Sequence, residues 1–194
     1  MQITFFTDGS SKGNPGPGGW GVYLEIESEN HQEKNHEHKK LLKKILKKTI
    51  SGGQRLATNN QMELMAGIKA LEYLKENLEK IIENLKGRAE KKEGLKIKIK
   101  TDSQYLKNGI ETWSKTWEKN NWQTSRKKEV LNKNLWQNFL ELKNFINKKL
   151  LLANYEAIRF EYVRAHIGTL GNEMADRLAK KAADNFMNLD RSTR

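Results

Sequence analysis

Four acidic residues stand where a strand or loop gives way to another element. Asp8 closes the first hydrophobic run, Asp102 closes a run in which Ile alternates with Lys, Glu63 sits in the opening turns of a long apolar-striped segment, and Asp176 falls near the start of the last helical segment. The chain has five Asp, so three of them occupy such junctions. Taken singly, each reads as a surface acid, with Glu63 a capping partner and Asp176 a helix-dipole acid. Taken together, carboxylates at strand ends of an α/β sheet mark the place where active sites form. The chain has no Cys, which excludes disulfide frameworks, thiolate zinc sites and thiol nucleophiles. An oxygen-only donor set suits Mg²⁺ or Mn²⁺ rather than zinc. Of the four His, three (His31, His36, His38) lie in one polar stretch and read as solvated, leaving His166 alone near Asp176. A lone His is most often structural, but it is also the side chain suited to moving protons near neutral pH.

The elements that must hold these residues follow from periodicity. Ile3 to Thr7 reads as a buried strand ending at Asp8-Gly9. The stretch from Ser10 to Gly21 holds five of the 14 Gly and both Pro, which predicts a tight, side-chain-poor connection. Trp20, Val22, Leu24 and Ile26 alternate along a returning strand over Gly19 to Glu27. Thr49 to Thr58 reads as a third strand. Met62, Met65, Ala66, Ile68, Leu71, Leu74, Leu78, Ile81, Ile82 and Leu85 recur at helical spacing, which predicts a helix over Asn59 to Leu85. Leu95, Ile97 and Ile99 form a fourth strand ending at Thr101-Asp102-Ser103. Short helical pieces to Asn120 and a polar basic loop to Lys133 precede a helix over Asn134 to Leu150, with Leu135, Phe139, Leu142, Phe145 and Ile146 on its apolar face. Ile158, Phe160, Tyr162 and Arg164 lie along a last strand, and Gly171 opens a terminal helix. Three strands, helix, strand, helices, strand, helix is the order of a mixed sheet with helices on its faces. No internal repeat is present.

With 194 residues the chain fits one domain plus insertions, at about 150 residues per domain. The expected organisation is a single domain over 1–194 with a Lys-rich insertion or extended hairpin tip at about 28–48, a charged loop at about 86–94 and a basic protrusion at about 113–136. Lys and Arg number 36 against 24 Asp and Glu, a net +12 that makes a polyanion the leading partner. Nothing at the N-terminus reads as a signal peptide and no apolar run reaches bilayer length, so the expected location is the cytoplasm and no membrane partner is expected.

Four blocks occur in order: TDGSSKGNPGPGGWG (Thr7 to Gly21), TNNQMELMAGIKALE (Thr58 to Glu72), TDSQYLKNGI (Thr101 to Ile110) and VRAHIGTLGNEMADRLA (Val163 to Ala179). They resemble the signature blocks of the type 1 ribonuclease H (ribonuclease HI) family. The segment from Trp113 to Trp136 resembles that family's basic protrusion. The resemblance implies a ribonuclease H-like α/β fold: a five-stranded mixed sheet, strands 1–3 antiparallel, flanked by helices. It implies endonucleolytic hydrolysis of the RNA strand of RNA–DNA hybrids, giving 3′-hydroxyl and 5′-phosphate ends. By the same match, Asp8, Glu63, Asp102 and Asp176 are the catalytic carboxylates and hold two Mg²⁺ ions in the substrate complex, with Mn²⁺ as the alternative. His166 matches the family's loop histidine, although Ala165 stands where Gly is usual. Gly9, Ser10, Ser11, Asn14, Asn60 and Gln104 match residues on the RNA and minor-groove side. Thr58 and Asn132 match the DNA phosphate pocket, in which Leu56 replaces the frequent Arg. Trp122, with Thr124, is the candidate to stack on a DNA sugar, whereas Trp113, Trp117 and Trp136 are expected to pack helices. The implied enzyme is a monomer with no obligate protein partner. Its rivals are another nuclease or transferase of the same superfold, and a hybrid-binding module without catalysis. The Lys-rich stretch Lys39 to Lys48 stays open between a solvated arm and an added contact to the hybrid.

Overall fold

The computed structural model describes residues 1–30, 42–86, 94–164 and 169–192. Five strands, β1 (Gln2–Ser11), β2 (Gly16–Asn30), β3 (Leu42–Ala57), β4 (Lys96–Thr101) and β5 (Arg159–Tyr162), form one sheet in the order β3-β2-β1-β4-β5. β1–β2 and β2–β3 pair antiparallel, whereas β4 runs parallel to both β1 and β5. This is the mixed sheet with antiparallel strands 1–3 that the resemblance implies. Because β1 is central, both of its faces are covered, and Ile3 through Gly9 are buried without interruption.

Side-chain alternation sorts β1 into two layers. Ile3 and Phe5 join the main core with α1 (Asn59–Lys86) and α4 (Lys133–Leu152), through Leu64, Ile68, Leu71, Phe139 and Ile146. Phe6 faces the other way, onto Tyr23 and Ala175 of α5 (Leu170–Ser192). Between β4 and α4, α2 (Gln104–Asn108) passes through a π-helical turn (Gly109–Trp113) into α3 (Ser114–Lys119). Trp136 is fully buried, ring to ring with Tyr105, Trp117 and Phe139, and its Nε1 donates to Tyr105 Oη at 2.8 Å. Trp113 packs on Tyr105 and Trp117. The three tryptophans expected to pack helices do so.

Boundaries differ from expectation in one region above all. β1 and β2 extend into the Gly-rich connection as far as the Ser11–Gly18 pair, and β3 starts at Leu42 rather than Thr49. Part of the expected insertion is therefore hairpin: Ser28 pairs with Lys44 and Asn30 with Leu42, carrying β2 and β3 beyond the sheet as an arm. At its base, where β2 still pairs with β1, Glu25 opposes Lys47 across the ladder, a cross-strand charge pair that favours this register. Lys39, Lys40, the three His of the polar stretch and most of the 86–94 loop lie outside the described residues. The long helix ends at Lys86, one residue past expectation, and the last strand is the shorter Arg159–Tyr162. Among the described residues, no helix is long and apolar enough to cross a membrane.

Candidate active site

Close backbone packing brings the carboxylates together. A β-carbon at Gly9 would run into the backbone of Met62 and Glu63, so glycine at this position lets the N-terminal turns of α1 lie directly on β1. Those turns are fixed by a reciprocal capping box: Thr58 N donates to Gln61 Oε1 at 2.8 Å and Gln61 N to Thr58 Oγ1 at 3.3 Å. Asn14, from the Gly-rich connection, adds its Oδ1 as acceptor for Asn59 N at 3.1 Å. Asp102 follows directly on β4, whose last residue Thr101 is in register with Thr7, one residue before Asp8. Ser103 then caps α2, its hydroxyl accepting from Leu106 N at 3.2 Å. α5 lies against β2 along a seam in which Gly19 and Gly21 meet Ala175, Ala179, Ala182 and Ala183, and this close approach sets where Asp176 stands.

One oxygen each from Asp8, Glu63 and Asp102 lies within 4.8 Å of the others. Asp176 joins them in lining a cleft of about 350 Å³ with Gly9, Ser10, Asn59, Asn172, Glu173 and Lys180. Asp8 and Glu63 are 6% and 7% exposed, so two carboxyl groups are removed from water beside a third. Burial, then repulsion from Asp102 and Asp176, pushes the Asp8 carboxyl up to about 8, against the pull of a 2.7 Å hydrogen bond from Gly9 N. Glu63 is also held well above the usual carboxylate range, by burial first and then by Asp8 and Asp102. Its Oε1 accepts from Asn59 Nδ2 at 3.4 Å, whereas Oε2 is buried with no hydrogen-bond partner among the described residues. A cluster of oxygens that repel one another, one of them orphaned, is what a hard divalent cation neutralises. The donor set fits such an ion.

The remaining expected residues divide by position. Gly9, Ser10 and Ser11 end β1 beside the carboxylates, Thr58, Asn60 and Asn14 gather at the start of α1, and Gln104 is exposed at the start of α2. Asn132 donates from Nδ2 to Tyr105 Oη at 3.2 Å and sits in the left-handed region at φ 59°. Leu56 is 68% exposed beside this end of the sheet. Trp122, at φ 60°, is half-buried with its ring 6.1 Å from that of Trp117. Thr124 closes the basic loop on itself, accepting from Lys128 N at 3.2 Å. His166 lies outside the described residues. Two residues that sequence reasoning passed over belong to the site. Asn172 Nδ2 donates to Asp102 Oδ2 at 2.9 Å, a contact between residues 70 apart, and Lys180 lies 2.8 Å from both oxygens of Asp176. The second was readable as an i, i+4 acid–lysine pair on a helix.

The model of the RNase H family matches residues 1–184. A ribonuclease H from Legionella pneumophila (strain Corby) is 38% identical over 179 residues, covering 92% of this chain and 94% of that protein. Among solved structures, the LC9 type 1 ribonuclease H, which carries a type 2 active-site motif, superposes with a TM-score of 0.61 at 22% identity, over 95% of this chain and 72% of that one. A foamy viral protease–reverse transcriptase solved with an RNA/DNA hybrid gives a TM-score of 0.60 at 18% identity, over 94% of this chain and 20% of that one. At such identities the structures speak for the fold. The sequence matches speak for more: the chain belongs to the ribonuclease H family. It is a nuclease of that class.

Proposed function

We propose that the chain cleaves the RNA strand of RNA–DNA hybrids endonucleolytically, leaving 3′-hydroxyl and 5′-phosphate ends, with Asp8, Glu63, Asp102 and Asp176 as its catalytic carboxylates. The observation that carries this reading is the convergence of Asp8, Glu63 and Asp102, with Glu63 Oε2 buried and unpartnered. The chemistry that two Mg²⁺ ions would supply there is activation of the attacking water and stabilisation of the leaving 3′-oxygen of an in-line displacement. Asp8, Glu63, Asp102 and Asp176 are the side chains that would hold them. Asn172 fixes the rotamer of Asp102 by its hydrogen bond, so the carboxylate meets its ion already oriented. Gly9 to Ser11, Asn14, Asn60 and Gln104 face the sugars and minor-groove edges of the RNA strand, where 2′-hydroxyls distinguish it from DNA. Thr58 and Asn132 receive a DNA phosphate, and Trp122 with Thr124 meets a DNA sugar. The basic loop holding Arg126, Lys127 and Lys128 supplies attraction to the backbone. His166 carries protons at the site. The enzyme acts as one domain and as a monomer.

Incubation of a hybrid with end-labelled RNA, with and without Mg²⁺, tests this reading, with RNA–RNA and DNA–DNA duplexes as controls. The expected outcome is cleavage of the hybrid RNA alone, dependent on Mg²⁺ and lost in EDTA. Equal cleavage of either control duplex would overturn the assignment of substrate.

A further inference from the structure

Lys180 is the one basic side chain among the described residues that line the cleft. It stands one turn beyond Asp176 on α5 and grips both carboxylate oxygens at 2.8 Å, in the cleft that Asp8, Glu63, Asp102 and Glu173 also line. Its side chain is 52% exposed and rides on a flexible four-carbon stem, so the ammonium has a free path into solvent. A further turn along the same face is Asp184, which Lys12 from the Gly-rich connection engages at 2.9 Å. The face therefore runs acid, lysine, acid at four-residue steps, so the ammonium has a carboxylate on each side. With Asp184 taken by Lys12, the ammonium lies on Asp176.

We infer that Lys180 is a displaceable internal cation: it occupies the Asp176 carboxylate while no divalent ion is bound there and moves off it into solvent when one arrives. This rests on the reading of the carboxylates as the metal site. Lys180 is thus a positioning residue that competes with the ion at Asp176. It weakens the Asp176 side of the site in the free enzyme and leaves the Asp8–Glu63–Asp102 side less affected. Full occupancy then depends on a further source of attraction, which the phosphate of a bound nucleic acid provides. An exposed ion pair is worth up to about 1 kcal/mol, so the competition amounts to roughly a two- to fivefold change in affinity.

The test is Mn²⁺ binding to the substrate-free protein, followed by electron paramagnetic resonance and calorimetry, in wild type, Lys180→Gln, Lys180→Arg and Asp8→Asn. Lys180→Gln should tighten the weaker binding step about two- to fivefold, with Lys180→Arg close to wild type because a guanidinium still pairs with Asp176. At half-exposed Lys180, a shift of this kind in a variant whose circular dichroism spectrum is unchanged excludes a purely structural cause. If wild type binds Mn²⁺, Asp8→Asn weakens it, and Lys180→Gln superimposes on wild type, the inference about Lys180 is wrong while the metal-site reading stands. If Asp8→Asn binds Mn²⁺ as wild type does, the metal-site reading itself fails, and this inference with it.

Discussion

The carboxylate cleft and the aromatic segment from Trp113 to Trp136 treat their demanding side chains in opposite ways. In the aromatic segment each large ring has a ring neighbour, the buried indole Nε1 of Trp136 has a 2.8 Å acceptor, and the basic side chains of Arg126, Lys127 and Lys128 stay exposed. In the cleft, two carboxyl groups are buried side by side, Glu63 Oε2 and Asn172 Oδ1 have no partner among the described residues, and the protons on Asp8 and Glu63 are held far more tightly than in water. Folding tolerates such an arrangement only where the rest of the molecule over-determines it, here through Gly9, the capping box and the α5 seam. One region is arranged for stability and leaves its charges to attract. The other is arranged for a cation and loses stability until it has one.

The sharpest break in that comparison is Asp8→Asn, which should lower kcat on hybrid by at least about 10³-fold while hybrid binding persists. The same variant should flatten a pH dependence. Asp8 titrates at about 8 when folded against 3.8 ordinarily, so the folded state holds the proton more tightly. The metal-free wild type is then expected to lose thermal stability as pH rises from about 4 to about 8, and Asp8→Asn to lose less over that window. Melting curves in EDTA across that range check the sign. The converse break is Trp136→Ala, expected to cost about 3–5 kcal/mol in urea unfolding while leaving Mn²⁺ affinity unchanged at temperatures where it stays folded.

Smaller effects sharpen the contrast. Asn172→Ala removes the group that orients Asp102 and should weaken Mn²⁺ binding at least about tenfold with little change in unfolding free energy. A calorimetric isotherm matching wild type would mean that Asp102 holds its rotamer unaided. Smallest is the basic loop: replacing Arg126, Lys127 and Lys128 by Gln should raise KM at physiological salt and flatten log affinity against log salt by somewhat under one unit per lost phosphate contact. Catalysis at saturating hybrid should not change.

What the sequence made legible was whatever local spacing decides. The apolar stripe from Met62 to Leu85 located α1 to within a residue, and alternation of Ile with Lys located β4. Asp8, Glu63 and Asp102 were nominated from strand ends and a helix start, and their oxygens meet. The arm was read as an insertion or extended hairpin tip, with the strand starting only at Thr49, because Lys-rich residues 43–48 lack the alternation of a strand; what makes them one is the pairing with β2, in which Glu25 stands opposite Lys47. The capping box of Thr58 and Gln61 was written in the spacing and passed over in favour of Glu63. The π-helical turn at Gly109 and the bond from Asn172 to Asp102 had no local signal, since each depends on packing between distant segments: the ring of Trp136 lies where a β-carbon at Gly109 would be.

The Gly–Ala seam beneath α5 has a consequence for how this molecule can vary. With almost no side chain between helix and sheet, the thickness of two backbones is the gauge that spaces Asp176 from Asp8. Adding one methyl group at Gly21, whose β-carbon would strike Ala175 and Ala179, would lift the helix and open that gap without touching any acid. The seam therefore makes a glycine on β2 as binding a constraint on chemistry as the carboxylates themselves, and any change in its calibre registers first as a mis-spaced pair of oxygens.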